Sequence, residues 1–261
     1  MLKKPALLGN QQKIFLRMNK LFCNYDPAFC NPFSLHKLFA LNKQEFFKAN
    51  FGRFFPAKSK RCLDIGPGEG DLLRLLKQLG YKKIEAIDIS TAVCQNLSRQ
   101  GLPCKLVSDS EKFLEKHKNC YDLIAALDVL EHLPYVKLEN FLKAIFEALK
   151  PGGCFLISTP NSQSPDALAL ISVDITHQIM VFSEASLTQL LKSIGFTKIK
   201  VFGLKIPPSA SKNPLIKTLL FICQNLAAPF YFSLVKLRRL TTSGLYSRIL
   251  ERGLGVVAYK E

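Results

Sequence analysis

Apolar positions along the chain follow two alternating patterns from residue 61 onward. Short apolar runs predict seven strands. Apolar residues spaced by three and four positions fall between the first six runs and predict helices. This alternation predicts an α/β fold with a Rossmann-like, doubly wound and mostly parallel sheet. The predicted strands are Cys62–Ile65, Ile84–Asp88, Cys104–Ser108, Leu123–Leu127, Cys154–Ser158, Lys198–Phe202 and Val256–Tyr259.

Residues with known capping preferences mark the ends of the predicted helices. A leucine stripe from Leu72 stops at Gly80, and Ser90 is placed to cap the next helix. A later stripe stops before Pro151, and a helix capped by Ser183 ends at Gly195. These residues set the ends of the predicted helices, so the predicted loops lie between those helices and the adjacent strands.

Two segments lie outside the alternation, so three units are predicted. Residues 1–60 form an N-terminal helical cap, residues 61–203 with 254–261 form the core, and residues 204–253 form a helical insertion. Polar residues interrupt the apolar run of the insertion and Pro229 breaks it, which argues against a membrane-spanning helix. A helix on a membrane surface and a lid packed on the sheet both fit this segment.

The formal net charge of +16 lies in the flanks. Residues 1–60 carry 11 Lys/Arg and 2 Asp/Glu, residues 61–203 carry 16 of each, and residues 204–261 carry 9 and 2. Two explanations remain open, an anionic partner such as an acidic membrane face, and solubilising lysines. The N-terminal residues lack the apolar run of a secretory signal, and Cys62, Cys104 and Cys154 read as buried reduced thiols. A cytoplasmic protein is expected, and the first of the two explanations would add peripheral contact at the inner membrane face.

A glycine-rich loop follows the first predicted strand. Gly66, Gly68 and Gly70 permit positive φ and close approach of a ligand, and Asp88 follows Gly68 by 20 residues, as suits an acid that binds ribose hydroxyls. The glycine spacing differs from the dinucleotide fingerprint, and the phosphate-loop motif is absent. Acids at 64, 69 and 71 would repel a pyrophosphate and tolerate a cationic ligand. The loop therefore predicts a nucleoside cofactor without a pyrophosphate.

The ordered set of motifs resembles the class I S-adenosylmethionine-dependent methyltransferases. LDIGPGEG, IEAIDIS, VSDS, LDVLEHLP and LKPGGCFLISTPN occur in the family's order, over roughly residues 60–203 plus the final strand. The resemblance implies a seven-stranded sheet with an antiparallel last strand, and S-adenosyl-L-methionine as cofactor. It implies contacts to that cofactor from nine residues, namely Asp64, Ile65, Gly66, Pro67, Gly68, Asp88, Ile89, Asp109 and Asp128. For Asp109 a helix cap, and for Asp128 a turn, are the structural alternatives.

Methyl transfer to a hydroxyl requires alignment of the reacting atoms and removal of a proton. His132, after the fourth strand, and His177, in the segment after the fifth, are the candidate catalytic bases. Both also fit structural roles. No metal is expected at the site.

The segment after the fifth strand is similar to bacterial methyltransferases associated with lipopolysaccharide and other surface glycans. Asp174, Thr176, His177, Phe182 and Ser183 carry that similarity. It implies O-methylation of a saccharide or lipid-linked glycan precursor. The same features resemble ubiquinone-biosynthesis O-methyltransferases, which makes a quinone precursor the alternative. An RNA methyltransferase is the further alternative, disfavoured because no N-P-P-Y-type motif follows the fourth strand.

Overall fold

A seven-stranded sheet forms the centre of the computed structural model, which describes residues 42–164, 182–240 and 249–261. The strand order is β3-β2-β1-β4-β5-β7-β6. β1 to β5 pair in parallel, and β7 inserts antiparallel between β5 and β6. The strands are β1 Cys62–Ile65, β2 Ile84–Asp88, β3 Lys105–Leu106, β4 Tyr121–Leu127, β5 Leu149–Pro160, β6 Ile199–Gly203 and β7 Gly253–Tyr259.

Helices cover both faces of the sheet. Side chains of α1, α2 and α3 pack on one face, and those of α4, α5 and α6 pack on the other. The central strands β1 and β4 are almost wholly buried, which explains why they read as continuous apolar runs. The helices are α1 Lys43–Phe51, α2 Asp71–Gln78, α3 Thr91–Arg99, α4 Ser110–Glu115, α5 Tyr135–Ala148, α6 Glu184–Ile194, α7 Pro214–Ile222 and α8 Ala228–Leu240.

The predicted fold class is confirmed, including the antiparallel last strand. Ser90 caps α3 by accepting from the Val93 N–H, and Ser183 forms a capping box with Ser186. β3 is shorter than predicted, because only Lys105 and Leu106 pair with β2.

Helix α1 joins the N-terminal segment to the start of the insertion. The buried Asn50 amide donates to the Lys205 carbonyl at 2.9 Å and accepts from the Lys205 N–H at 3.1 Å. The Asn42 N–H donates to the Ala210 carbonyl at 2.7 Å. The two predicted flanking units therefore contact each other where they leave the core. Residues 1–41 of the predicted cap lie outside the described residues.

The insertion contradicts one expectation, since its helix continues through Pro229. α7 passes through a π-helical turn, Cys223–Ala227, directly into α8. The Ala228 N–H bonds to the Cys223 carbonyl five residues back. Pro229 then lies in the first turn of α8, where a missing N–H is tolerated. Within the described residues, the 22-residue stretch Pro214–Val235 of this helix is long and apolar enough, by length and composition, to cross a membrane.

Cysteine pairing differs from expectation at one position. Cys62 and Cys154 are buried free thiols, as predicted. Cys104 instead forms a disulfide with Cys94 on α3. The pairing was not visible in the sequence because the two residues belong to different elements that meet only in the fold.

Candidate active site

The carboxyl ends of three neighbouring strands form the site. β1 lies between β2 and β4, and the chain crosses to opposite sides of β1 to reach them, which makes its end a topological switch point. Asp64 is in register with Ala86 and Ala125, so the three strands end at one level. The Gly66 N–H donates to the Ile87 carbonyl at 3.0 Å, which fixes the first residue of the glycine loop against β2.

The three glycines of the loop all adopt positive φ, at 68° for Gly66, 53° for Gly68 and 82° for Gly70. A Cβ on Gly66 would lie 2.8 Å from Val129 Cγ2, and one on Gly70 would lie 2.5 Å from Leu97 Cδ2. These two glycines are therefore required for packing. A Cβ on Gly68 would meet nothing within 4 Å. Only Gly68 turns its bare backbone toward open space, where a ligand can approach.

Two of the acids in this loop are already paired. Glu69 Oε2 lies 3.0 Å from the Lys43 ammonium of α1. Asp71 Oδ1 accepts from the Arg74 guanidinium at 2.6 Å, and Arg74 also donates to the Glu69 carbonyl at 2.8 Å. The expectation that the acids at 64, 69 and 71 repel anions is therefore wrong for Glu69 and Asp71.

Asp64 and Asp88 determine the electrostatics of the site. Asp64 is 3% exposed, and burial, followed by repulsion from Asp88, raises its pKa from 3.8 to about 8. Burial raises the pKa of Asp88 to about 6, although the N–H groups of Ser90 and Ile89 oppose that rise. The Ser90 N–H lies 2.7 Å from Asp88 Oδ1. Two carboxyl groups that are costly to ionise at one edge would be stabilised by a cationic ligand.

These residues fit the cofactor that the motifs imply. Open space at Gly68 admits a ligand against the backbone, and Asp88 ends β2 with a carboxylate suited to ribose hydroxyls. Asp64 and Asp88 favour the positive sulfonium and ammonium groups of S-adenosylmethionine. Ile65 ends β1, Pro67 lies in the glycine loop, and Ile89 directly follows Asp88.

Asp128 has a strained backbone at the end of β4. Its φ is 55°, one of two positive values among the described non-glycine residues, and positive φ is costly without glycine. The Ser158 hydroxyl donates to its Oδ1 at 2.8 Å, and the Asp128 N–H donates to the Ser158 carbonyl at 3.0 Å. Such local strain is often found at functional sites. The bonds hold the carboxylate beside the end of β5.

Asp109 has an observed structural role. Its Oδ1 accepts from the Lys112 N–H at 3.1 Å and caps α4. The structural alternative is therefore observed for this residue. Its contact to the cofactor stays a prediction.

The two candidate bases differ in what the structure describes. His132 is half-buried in a 3-10 turn, Leu130–His132, directly after β4, beside the buried Glu131. His177 lies outside the described residues, together with Asp174 and Thr176. Within the described ranges, no three His, Cys, Asp or Glu side chains group as a metal site.

Sequence reasoning missed the residues that support the loop and Asp128. Arg74 had a signal, since it stands three positions after Asp71 on a helix. Ser158 had no signal in the sequence, because only the pairing of β4 with β5 sets it opposite Leu127 at the strand end. Lys43 had none, because its contact with Glu69 spans 26 residues and depends on how α1 packs.

Replacing Gly68 with alanine separates ligand binding from backbone strain. We expect Gly68→Ala to weaken S-adenosylmethionine binding at least about tenfold, because the methyl group enters the ligand space and the positive φ is disfavoured. Gly101→Ala is the matched control, since Gly101 has a φ of 66° and also meets nothing within 4 Å. Both variants should lose about 1–2 kcal/mol of stability. Calorimetry and urea unfolding test this, and equal affinities of the two variants would contradict it.

Asp64→Asn should stabilise the ligand-free protein. Between pH 3.8 and about 8 the folded state retains a proton that the unfolded chain loses, so the free energy of unfolding falls as pH rises. The variant lacks this loss and should be more stable by on the order of 1–3 kcal/mol near neutral pH, with no difference below about pH 4. It should bind S-adenosylmethionine more weakly. Urea unfolding across pH measures the first effect and calorimetry the second.

Asp122→Asn is the control, because this substitution should change the stability in the opposite direction. Burial of Asp122 tends to raise its pKa, but hydrogen bonds from Lys150, the Arg61 N–H and Lys60 outweigh burial and lower it. This substitution should destabilise the protein at neutral pH and lose its effect as pH falls through the acid range. The same pH dependence of stability in Asp64→Asn and Asp122→Asn would contradict the pKa shifts assigned to these two residues.

Comparison with known proteins agrees with the fold. Residues 36–201 match the family model described as a methyltransferase domain. The mitochondrial ubiquinone biosynthesis O-methyltransferase of Homo sapiens is 29% identical over 170 residues, 59% of this chain and 46% of that protein. The chain thus spans about half the length of that relative. The ubiquinone biosynthesis O-methyltransferase of Burkholderia pseudomallei (strain 1710b) is 26% identical over 171 residues, 60% of this chain and 72% of that protein.

Solved structures share the architecture. The crystal structure of a SAM dependent methyltransferase from Archaeoglobus fulgidus superposes with a TM-score of 0.61 at 21% identity, covering 88% of this chain and 100% of that one. The expectations of enzyme class and of cofactor are confirmed. The chain belongs to the methyltransferase-domain family and is a class I S-adenosylmethionine-dependent methyltransferase.

Proposed function

We propose that the protein O-methylates a hydroxylated aromatic precursor of a quinone. The observation that carries this proposal is the matching core sequence of two relatives named ubiquinone biosynthesis O-methyltransferase, one human and one bacterial. This favours the quinone alternative over the saccharide or lipid-linked glycan that the segment after β5 suggested. The RNA alternative rested on the basic flanks, and no N-P-P-Y-type motif follows β4 to support it.

The ends of β4 and β5 suit the acceptor side of the reaction. S-adenosylmethionine, when bound, supplies a methyl group already activated by its sulfonium. Asp64 and Asp88, on the β1–β2 side, hold the positively charged part and the ribose of this cofactor. Asp128, whose carboxylate is fixed by Ser158, borders the opposite side of the site. An acceptor hydroxyl must then approach from the turn after β4, where His132 lies.

His132 serves as the proposed general base. The hydroxyl oxygen forms a bond to the methyl carbon as the carbon–sulfur bond breaks, and the hydroxyl proton moves to the imidazole. The products are a methyl ether and a neutral thioether. A neutral imidazole is required to accept this proton.

Methyl transfer from radiolabelled S-adenosylmethionine tests the acceptor class. The purified protein is incubated with cell extract, which is then separated into lipid, polysaccharide, RNA and small-molecule fractions. We expect the label in the lipid fraction, and in a purified hydroxylated aromatic quinone precursor offered alone. Label confined to the polysaccharide or RNA fraction would contradict the proposal.

His132→Ala should lower kcat by about 10²- to 10⁴-fold with little change in cofactor affinity, because a general base acts on the acceptor. His117→Ala is the matched control, since His117 stacks on Phe113 and its Nδ1 lies 2.7 Å from the Phe113 carbonyl. It should leave kcat near the wild-type value. Rates with saturating acceptor and calorimetric affinities make the comparison, and an unchanged kcat for the His132 variant would exclude this base.

A further inference from the structure

The insertion helix carries a continuous apolar stripe exposed to solvent. Its members follow one another by three or four positions, which places them along one face of the helix. Their exposed fractions run from 43% for Ile222 to 81% for Leu215. Exposed apolar surface of this extent marks a site of interaction. The stripe consists of Leu215, Leu219, Ile222, Leu226, Phe230, Leu234 and Leu237.

A neighbouring line of the same helix faces the protein. Ile216, Leu220, Gln224, Ala228 and Phe232 are only half-buried, and Gln224 donates to the Ile206 carbonyl. No residue from Pro214 to Val235 is fully buried. The helix therefore contacts the rest of the protein along its half-buried line, and the apolar stripe faces solvent.

The polar side chains of the helix bond to the helix itself. Thr218 donates to the Pro214 carbonyl at 3.0 Å, Asn225 to Phe221 at 2.9 Å, and Ser233 to Pro229 at 2.8 Å. Each bond runs to the carbonyl four residues earlier. This arrangement satisfies polar groups without water, as an apolar surrounding requires.

The charge of the insertion is of one sign. No Asp or Glu occurs from Leu204 to Leu250, and the basic residues of this stretch are Lys205, Lys212, Lys217, Lys236, Arg238, Arg239 and Arg248. Lys212 precedes the helix and the pair Arg238–Arg239 lies near its end. Basic residues at both ends of an apolar helix complement an anionic lipid surface.

Strand pairing argues against a helix that crosses the bilayer. Gly203 of β6 is paired with Leu254 of β7, so the insertion leaves and re-enters the sheet at one place. Leu250 is buried, and the Ile249 carbonyl accepts from the Asn161 amide at 3.0 Å. Only residues 241–248 join the helix to this anchored point. Fully extended they reach about 30 Å, the thickness of the hydrocarbon core, with their backbone groups unsatisfied in lipid.

We propose that the helix Pro214–Leu240 lies in the plane of an anionic lipid bilayer, with the stripe from Leu215 to Leu237 in the acyl region. Lys212 and Lys217 then reach the headgroups on the N-terminal side. The surface is separate from the cofactor site, and the proposal does not depend on the identity of the acceptor. It places the enzyme at a membrane surface rather than across it.

Tryptophan fluorescence tests this proposal directly, because the chain has no Trp. Phe230→Trp introduces one fluorophore on the stripe, where Phe230 is 67% exposed. We expect its emission to shift to shorter wavelength with phosphatidylglycerol-containing vesicles and to be quenched by brominated lipid. The matched control is Leu106→Trp, at a position 50% exposed on β3, the sheet edge opposite β6. Its emission should not change.

Vesicle co-sedimentation of the full chain gives the second readout. Leu226→Gln combined with Phe230→Gln should lower the partition into phosphatidylglycerol vesicles at least about tenfold while leaving cofactor affinity unchanged. Vesicles of phosphatidylcholine alone should bind more weakly than anionic ones. Unchanged partition of the double variant, or a fluorescence shift equal for both tryptophans, would overturn the proposal. So would a stripe covered by a second copy, seen as a dimer that the double variant dissociates and vesicles do not.

Discussion

The active site depends on the contact between Gly66 and the turn after β4. A side chain at Gly66 would collide with Val129, so the loop closes against β4 only because that position has no Cβ. The Gly66 N–H also bonds to Ile87 in β2. Strand pairing places Asp64, Asp88 and Asp128 at one edge of the sheet, and the missing side chain at Gly66 lets the loop close against β4 there.

The electrostatics of this edge depend on which of its acids are paired with basic side chains. Lys43 and Arg74 neutralise Glu69 and Asp71, while Asp64 remains buried beside Asp88 with its pKa raised to about 8. A protein that places a carboxyl group in such a position loses folding stability near neutral pH. The loss is offset when a cation binds, so the binding free energy of a sulfonium cofactor includes relief of this penalty.

The sequence predicted what local patterns determine and missed what packing determines. The strands, the cap at Ser183 and the glycine loop were visible because each depends on neighbouring residues or on a fixed spacing. The bond from Ser158 to Asp128 and the pairing of Cys94 with Cys104 join different elements. The continuity of the insertion helix was missed for another reason. Proline normally ends a helix, and the π turn before Pro229 removes the conflict only through a change of backbone bonding.

Helix α1 links the cofactor loop to the insertion. Its first residue, Lys43, pairs with Glu69 in the loop, and Asn50 near its end bonds twice to Lys205, where the insertion begins. Asn42 adds a bond to Ala210, a few residues before α7. Hydrogen bonds of a buried amide are costly to break, so α1 holds these segments at a fixed separation. A membrane-bound insertion helix would therefore also fix the orientation of the glycine loop relative to the lipid surface, without any contact between the loop and lipid.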